Sequence, residues 1–223
     1  SMKLSLKKLT KIEINRLMSH RTKDLPKLSG FAHLIRELRY HEFSRQSIGI
    51  ILVSVFCFET SPDLIFPYAS HFAISLILLG LANRMYASGF VLKNKELSTT
   101  GPYAFMRHPL YTGNIMILIG LCLINGFFWS FITAFIFLWF YYPAAIEYED
   151  RKLKLLFPET WDEWASVTPP LMPKMDLKGT FNGKIFSQLD LRSWSLKKSL
   201  VTNYEPVIVI YVIAWLIVIG NRG

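Results

Sequence analysis

Two apolar runs joined by Asn125-Gly126 decide the fold: residues 110–125 read LYTGNIMILIGLCLIN, and residues 127–146 read FFWSFITAFIFLWFYYPAAI. Both runs approach or reach the roughly 20 residues that a helix needs to cross a bilayer. An Asn-Gly pair is a strong turn signal. The stretch therefore predicts a helical hairpin inside a membrane.

The composition of the whole chain also favours a membrane protein. Its 223 residues are 52% hydrophobic and 18% charged, and the mean hydropathy is +0.30. Further apolar runs cover 47–58, 71–92 and 206–220, and the first is extended by the interfacial residues 64–70 after a Ser61-Pro62 turn. We expect an all-α integral membrane protein with about five transmembrane helices. A soluble doubly wound domain is excluded, because no GxGxxG occurs and the apolar runs are too long for strands.

The positive charge is segregated. Of the 25 Lys and Arg residues, all but Arg84 and Arg222 fall in segments 1–46, 93–109 and 147–205. Because basic segments of membrane proteins stay inside, the amino terminus, 93–109 and 147–205 are predicted to be cytoplasmic. Nucleic-acid binding would also use basic residues, but the apolar spans account for the pattern better, so no nucleic-acid partner is expected.

Four parts follow from this organisation: a basic cytoplasmic or interfacial amphipathic segment at 1–45, a membrane core at 46–173, a cytoplasmic connector at 174–205 and a carboxyl-terminal transmembrane helix at 206–223. Within the first part, Phe31, Leu34, Ile35 and Leu38 share one helical face. That face predicts either a helix in the membrane interface or a helix packed on the rest of the protein.

Cysteine and histidine spacing gives no metal or disulfide framework. Cys57 and Cys122 both lie in apolar runs, and no CxxC pattern is present. Five other polar positions show no metal-ligand spacing and are read as interfacial or loop residues: His20, His33, His41, His71 and Asp63. No metal is therefore expected.

The sequence GPYAFMRHPLYTG, residues 101–113, stands directly before the hairpin. Pro109 suits the first turn of a helix, which makes His108 the capping residue. Tyr111 follows His108 by three positions and Arg107 by four, so these side chains can meet on one rim of the helix. The string predicts a polar, aromatic-lined pocket at the cytoplasmic interface. Taken singly, Arg107 and Tyr111 are better explained by snorkelling and by the aromatic belt, but the whole string with its spacing favours the pocket.

This string resembles the signature of the isoprenylcysteine carboxyl methyltransferase and phospholipid methyltransferase superfamily, membrane enzymes that use S-adenosylmethionine. The resemblance extends over roughly 80–173 and includes EYEDRKLKLLFPETWDEWASVTPPLMP at 147–173. There Glu149-Asp150 stands at the acid pair of the family, and Trp161 and Trp164 replace two tyrosines. Pro158 stands where the family usually has glycine. Ala145 stands where the carboxyl methyltransferases carry an arginine associated with substrate, which leaves the acceptor open.

The resemblance implies a cytoplasmic cofactor pocket for S-adenosyl-L-methionine. Its cofactor-binding residues would be Lys95, Glu96, Leu97, Ser98, Tyr103, His108, Pro109, Leu110, Tyr111 and Glu149, of which His108 and Tyr111 are also the predicted catalytic residues. Arg84, Asn114 and Arg107 are the predicted substrate residues. For Arg84, an intramembrane charge, snorkelling and pairing with Glu96 or Glu149 are the alternatives.

The function expected is methyl transfer from S-adenosylmethionine to an amphiphilic acceptor, either an isoprenylcysteine-like carboxylate or a phospholipid amine. The partner would be a membrane lipid or a lipidated substrate. Two alternatives remain open at this stage. One is an NADPH-dependent membrane reductase of the sterol-reductase kind, towards which the WDEW stretch at 161–164 leans. The other is a non-catalytic lipid-binding scaffold.

Overall fold

The computed structural model describes residues 21–22, 25–60, 70–91, 95–172, 194–202 and 205–221. Their helices are α1 Gly30–Tyr40, α2 Glu42–Phe58, α3 Ser70–Ser88, a 3-10 turn Gly101–Ala104, α4 Pro109–Asn125, α5 Phe128–Leu156, α6 Trp161–Val167, a π-helical turn Lys198–Thr202 and α7 Glu205–Gly220. The described residues contain no strand, which confirms the helical class for this part of the chain. The Ser61-Pro62 turn, Asp63, His20 and most of the 174–205 connector lie outside the described residues.

The hairpin predicted at Asn125-Gly126 is confirmed. Asn125 ends α4, Gly126 adopts a left-handed conformation with φ 77°, and α5 begins at Phe128. The fully buried Asn125 amide donates to the carbonyl of Phe56 at 2.9 Å, and its oxygen accepts from the amide of Phe127 at 3.3 Å. A buried amide is tolerated only when it is hydrogen-bonded, so these contacts fix the end of α2 against the hairpin turn.

Side-chain contacts fix the relative directions of the helices. Arg45 near the start of α2 lies over the ring of Tyr111 near the start of α4, and Asn125 meets Phe56 at the other ends, so these two helices run the same way. Asn83, near the end of α3, donates to the carbonyl of Pro109 at 2.6 Å. Glu205 at the start of α7 meets Arg84 at that same end. Along the chain, α2, α3, α4, α5 and α7 therefore alternate in direction, and one end of this bundle collects the polar residues.

Glycines bring α3 and α4 into close backbone contact. A Cβ at Gly120 would lie 2.5 Å from Cγ1 of Ile77 and 2.8 Å from the carbonyl oxygen of Ala73. A Cβ at Gly80 would lie 2.8 Å from the carbonyl oxygen of Gly113. Small residues at such positions let neighbouring membrane helices pack closely.

We expect Gly120→Ala to destabilise the protein by about 1–3 kcal/mol, because the added methyl group must push α3 away from α4. The measurement is the thermal unfolding midpoint of the detergent-solubilised protein. Gly220→Ala is the matched control, since a Cβ at that position meets nothing within 4 Å. Equal midpoints for the two variants would contradict the close packing.

By length and composition, α5 is the one described helix that can cross a membrane; α4 and α7 are apolar but shorter. The five-span topology therefore stays a prediction. Large apolar side chains nevertheless cover the outside of these helices, among them Phe135, Trp139 and Ile210. Extended apolar surface of this kind indicates contact with a membrane or a partner rather than with water.

The amphipathic helix α1 packs by its polar side. Nε of Arg39 donates to the carbonyl of Phe140 at 3.0 Å, and the hydroxyl of Tyr40 donates to Glu147 at 2.8 Å. Its apolar face remains outside, with Phe31 75% exposed and Leu34 64% exposed. The helix thus combines the two sequence readings, because it is attached to α5 and still presents the face that an interfacial helix would insert.

Candidate active site at the start of α4

The Arg-His-Pro string is held in place by the segment that follows α6. As the sequence predicts, His108 is the N-cap of α4 and Pro109 its first residue. The amide of Arg107 donates to the carbonyl of Pro169 at 2.8 Å, and the amide of His108 donates to the carbonyl of Pro170 at 2.9 Å. Because two backbone bonds fix consecutive residues, the start of α4 has a defined position relative to α5 and α6.

The acid pair of α5 meets this string. Oδ1 of Asp150 lies 2.7 Å from Nε2 of His108, and Oδ2 of Asp150 lies 3.0 Å from Nη2 of Arg107. Oε2 of Glu149 lies 3.4 Å from Nδ1 of His108, and Oε1 accepts from the hydroxyl of Tyr111 at 2.9 Å. The predicted convergence of Arg107, His108 and Tyr111 thus takes place on two carboxylates of the neighbouring helix. Asp150 is the less exposed of the two carboxylates: its side chain is 22% exposed, and that of Glu149 is 44% exposed.

His108 is held in an environment that favours its charged form. Burial by itself disfavours the imidazolium, but hydrogen bonds to Asp150 and Glu149, together with the negative charge of both carboxylates, raise the pKa of His108 above its usual value. An imidazolium donates from both ring nitrogens, which satisfies one carboxylate on each side.

We expect this arrangement to make stability depend on pH through His108. A group whose folded-state pKa is raised stabilises fully below its unfolded pKa of 6.5, and the stabilisation is lost as the pH rises through the folded value. The stability deficit of His108→Gln should therefore shrink between about pH 6 and pH 9, a range in which the carboxylates stay ionised. Thermal unfolding of both proteins across that range is the measurement. A constant deficit would contradict the raised pKa.

A cavity of about 750 Å³ opens beside this cluster. Its polar part is formed by the start of α4, the end of α5 and the 96–98 loop. Its apolar part lies between α2 and α7, which contribute Ile50, Val53, Ile208 and Val212. The cavity therefore joins a charged mouth to an apolar trough.

Nearly all of the predicted site residues line this one cavity. Those lining it are Arg84, Glu96, Leu97, Ser98, Tyr103, Arg107, His108, Leu110, Tyr111, Asn114 and Glu149. Lys95 and Pro109 do not: Lys95 is exposed in the loop, and Pro109 is buried in the first turn of α4. The roles predicted for these residues stay predictions, but their proximity is a property of the fold.

Arg84 differs from the sequence expectation in both position and partner. It lies one turn before the end of α3 at Ser88, whereas a helix reaching 92 would place it about two turns inside. Neither Glu96 nor Glu149 is its partner. The guanidinium makes a bidentate pair with Glu205, at 3.0 Å from Nε and 2.9 Å from Nη2, and Nη1 donates to Asn114 at 2.6 Å. The reason is that α7 begins at this level, so its first carboxylate reaches the buried charge.

Arg107 is likewise engaged within the protein. Besides its pair with Asp150, Nη1 donates to the carbonyl of Ala165 at 3.1 Å, and the guanidinium lies over the ring of Trp161 at 5.7 Å. This geometry ties the string to α6, while one edge of the side chain still faces the cavity. Its assignment to substrate stays a prediction.

Three contributions to the site are not predicted from the sequence. Asp150 has a signal, since it belongs to the acid pair, but the resemblance assigns a role to Glu149 alone. Arg45 lies within a basic segment that was interpreted only as a topology signal. The apolar residues of α7 had no signal at all, because they follow the resemblance region by more than 30 residues.

Residues 64–160 match the model of the phospholipid methyltransferase family. Nickel-cobalt-cadmium resistance protein NccN of Alcaligenes xylosoxydans xylosoxydans is 40% identical over 94 residues, or 42% of each chain. Cobalt-zinc-cadmium resistance protein CzcN of Cupriavidus metallidurans is 40% identical over 107 residues, or 47% of each chain. Protein-S-isoprenylcysteine O-methyltransferase B of Arabidopsis thaliana is 28% identical over 120 residues, 48% of this chain and 60% of that protein.

The chain thus spans between 42% and 60% of the length of these three curated relatives. No solved structure matches it.

Proposed function

We propose that this chain, whose residues 64–160 match the model of the phospholipid methyltransferase family, transfers a methyl group from S-adenosylmethionine to an amphiphilic acceptor at the cytoplasmic membrane interface. The observation that carries the proposal is the convergence of His108, Tyr111 and Glu149 on a single cavity with a polar mouth and an apolar trough. A cavity of this kind suits a charged soluble cofactor that meets an apolar substrate.

The residues at the mouth fit the proposed cofactor. The cavity volume of about 750 Å³ lies within the usual range for small-molecule sites, roughly 300–1,000 Å³. The Glu149 carboxylate is fixed by Tyr111 and His108, yet it remains accessible from the cavity. It is therefore available to accept hydrogen bonds from ribose hydroxyls or from an ammonium group.

Tyr103 offers an uncharged aromatic ring beside this carboxylate. Burial, followed by the negative charges of Glu149 and Glu205, raises the pKa of Tyr103, so its phenol stays neutral. The indole of Trp164 donates to the carbonyl of Tyr103 at 3.1 Å and so fixes the backbone there. A ring held in this way suits stacking on an adenine or attraction of a sulfonium.

The cofactor would supply the electrophilic methyl group when bound, and the protein would align the acceptor and exclude water. In this scheme Glu149 and Tyr103 bind, and His108 and Asp150 hold Glu149 and the start of α4 in position. Because its raised pKa favours the protonated ring, His108 is better suited to orienting Glu149 than to removing a proton from the acceptor.

The experiment that tests the proposal is calorimetric titration of the detergent-solubilised protein with S-adenosylhomocysteine and, separately, with NADPH. Binding of S-adenosylhomocysteine alone supports the methyltransferase. Binding of NADPH alone would replace the proposal with a membrane reductase. Binding of neither to folded protein would favour a non-catalytic lipid-binding role.

A further inference from the structure

The cavity contains one arginine whose charge the fold leaves weakly compensated. Arg84 is held by Glu205 and Asn114, and Arg107 is held by Asp150 and the carbonyl of Ala165. Arg45 on α2 also lines the cavity, but its nearest carboxylate oxygen in the described residues belongs to Glu42, at 4.0 Å. Of the three arginines, Arg45 is therefore the one whose whole guanidinium makes no hydrogen bond within the described residues, whereas Arg107 has only Nε left over.

Arg45 lies at the charged mouth of the cavity, close to Tyr111 and Glu149, where it can contact a bound ligand. Its guanidinium carbon lies 5.5 Å from the ring centroid of Tyr111, whose hydroxyl is bonded to Glu149. The side chain is only 14% exposed, so its charge is shielded from bulk water. A planar guanidinium presents its donors as a fork that matches the oxygens of a carboxylate or a phosphate.

The part of the cavity wall that α2 forms changes from polar to apolar along the helix, which matches the polar head and apolar chain of an amphiphile. Arg45 and Gln46 line the cavity near the start of the helix, and Gly49, Ile50 and Val53 line it further along. Eight residues of helix correspond to about 12 Å, enough for a polar head followed by the first part of an apolar chain. The change occurs inside one cavity and not on separate surfaces.

The apolar part of the cavity reaches the outside between α2 and α7. Ile50 and Val207 both line it, yet they are 55% and 65% exposed. Next to them the hydroxyl of Tyr211 donates to the carbonyl of Ile50 at 3.0 Å and lies 2.7 Å from the hydroxyl oxygen of Ser54. The trough thus has an apolar exit at a surface of the kind that faces lipid, which suits a chain that remains partly in the membrane.

We propose that Arg45 binds an anionic oxygen group of the methyl acceptor, a carboxylate or a phosphate, and that the apolar chain of the acceptor lies in the trough between α2 and α7. The inference rests on the proposed function in treating the bound anion as part of the acceptor. It assigns a substrate-binding residue that lies outside residues 64–160 and outside the residues predicted from the sequence.

The test is calorimetric titration of the full chain in detergent with three ligands of equal chain length: decanoic acid, decanoyl lysophosphatidylethanolamine and decanol. Arg45→Gln should weaken binding of one or both ligands that carry an anionic group, the carboxylate or the phosphate, about tenfold or more and leave decanol unchanged. Arg45→Lys should recover part of the loss, because it keeps the charge without the fork. Arg36→Gln is the matched control, since Arg36 has the same exposed fraction of 14% and does not line the cavity.

The outcomes separate the possible sources of the anion. A loss confined to decanoic acid supports a carboxylate acceptor, and a loss confined to the lysophospholipid supports a phosphate headgroup. Equal affinities of the wild type and Arg45→Gln for both anionic ligands would overturn the inference, as would an equal loss for decanol.

S-Adenosylhomocysteine is titrated into the same variants. If Arg45→Gln weakens its binding as strongly as that of the anionic ligands, Arg45 recognises the carboxylate of the cofactor and the inference is wrong. If the wild type does not bind S-adenosylhomocysteine but the anion effect persists, the proposed function fails while the anion site stands.

Discussion

Glu149→Gln is expected to weaken the binding of S-adenosylhomocysteine by about 10- to 100-fold, the effect of losing one hydrogen bond to a charged acceptor. The substitution preserves the shape of the side chain but removes the charge that His108 and Tyr111 orient. Titration calorimetry of both proteins measures the difference.

Glu163→Gln is the control for this experiment. Glu163 lies exposed on α6 and does not line the cavity, so its replacement should leave the affinity unchanged. If Glu149→Gln and Glu163→Gln bind S-adenosylhomocysteine equally well, the carboxylate does not take part in cofactor binding. The site would then have to be sought away from the acid pair.

Glu205→Ala is expected to reduce the free energy of unfolding by about 3–5 kcal/mol, because it leaves the buried guanidinium of Arg84 without its counter-charge. The side chain of Arg84 is 8% exposed and that of Glu205 is 4% exposed, so bulk water has little access to the charge left unpaired. The midpoint of thermal unfolding in detergent is the measurement.

Two further variants make this result specific to the buried pair. Asp162→Ala removes one partner of the exposed Lys154–Asp162 pair and should cost less than about 1 kcal/mol. The double variant Arg84→Met/Glu205→Met replaces both charges with apolar groups and should recover most of the stability lost in Glu205→Ala. A double variant no more stable than Glu205→Ala would mean that the loss comes from α7 packing and not from the unpaired charge.

The sequence predicted the features that are encoded within a few neighbouring residues. The hairpin turn at Gly126 follows from the Asn-Gly pair, and the cap at His108 follows from the missing amide hydrogen of Pro109. The approach of Glu149 to Tyr111 was expected only through the resemblance, since helical periodicity does not say which helix packs against which. These elements account for the mouth of the cavity.

The remaining part of the site depends on contacts between distant segments. Arg84 and Glu205 are 121 positions apart, and no local pattern specifies that α7 begins at the level of this arginine. Arg45 lies in a basic segment that, as a whole, predicts a cytoplasmic location. Counting charges in this segment does not show which of its basic residues lines the cavity. The apolar trough lies between α2 and α7, two helices that are separated by most of the chain.

The backbone bonds from Arg107 and His108 to Pro169 and Pro170 have a consequence for the smallest piece of this chain that can be functional. The family match ends at residue 160, before both of these acceptors, and it begins at residue 64, after Arg45. A fragment cut at the family boundaries would retain the string and the acid pair but lose the segment that fixes the string. The functional unit is therefore wider than the family match, and a truncated or chimaeric protein should extend at least from α1 to residue 172.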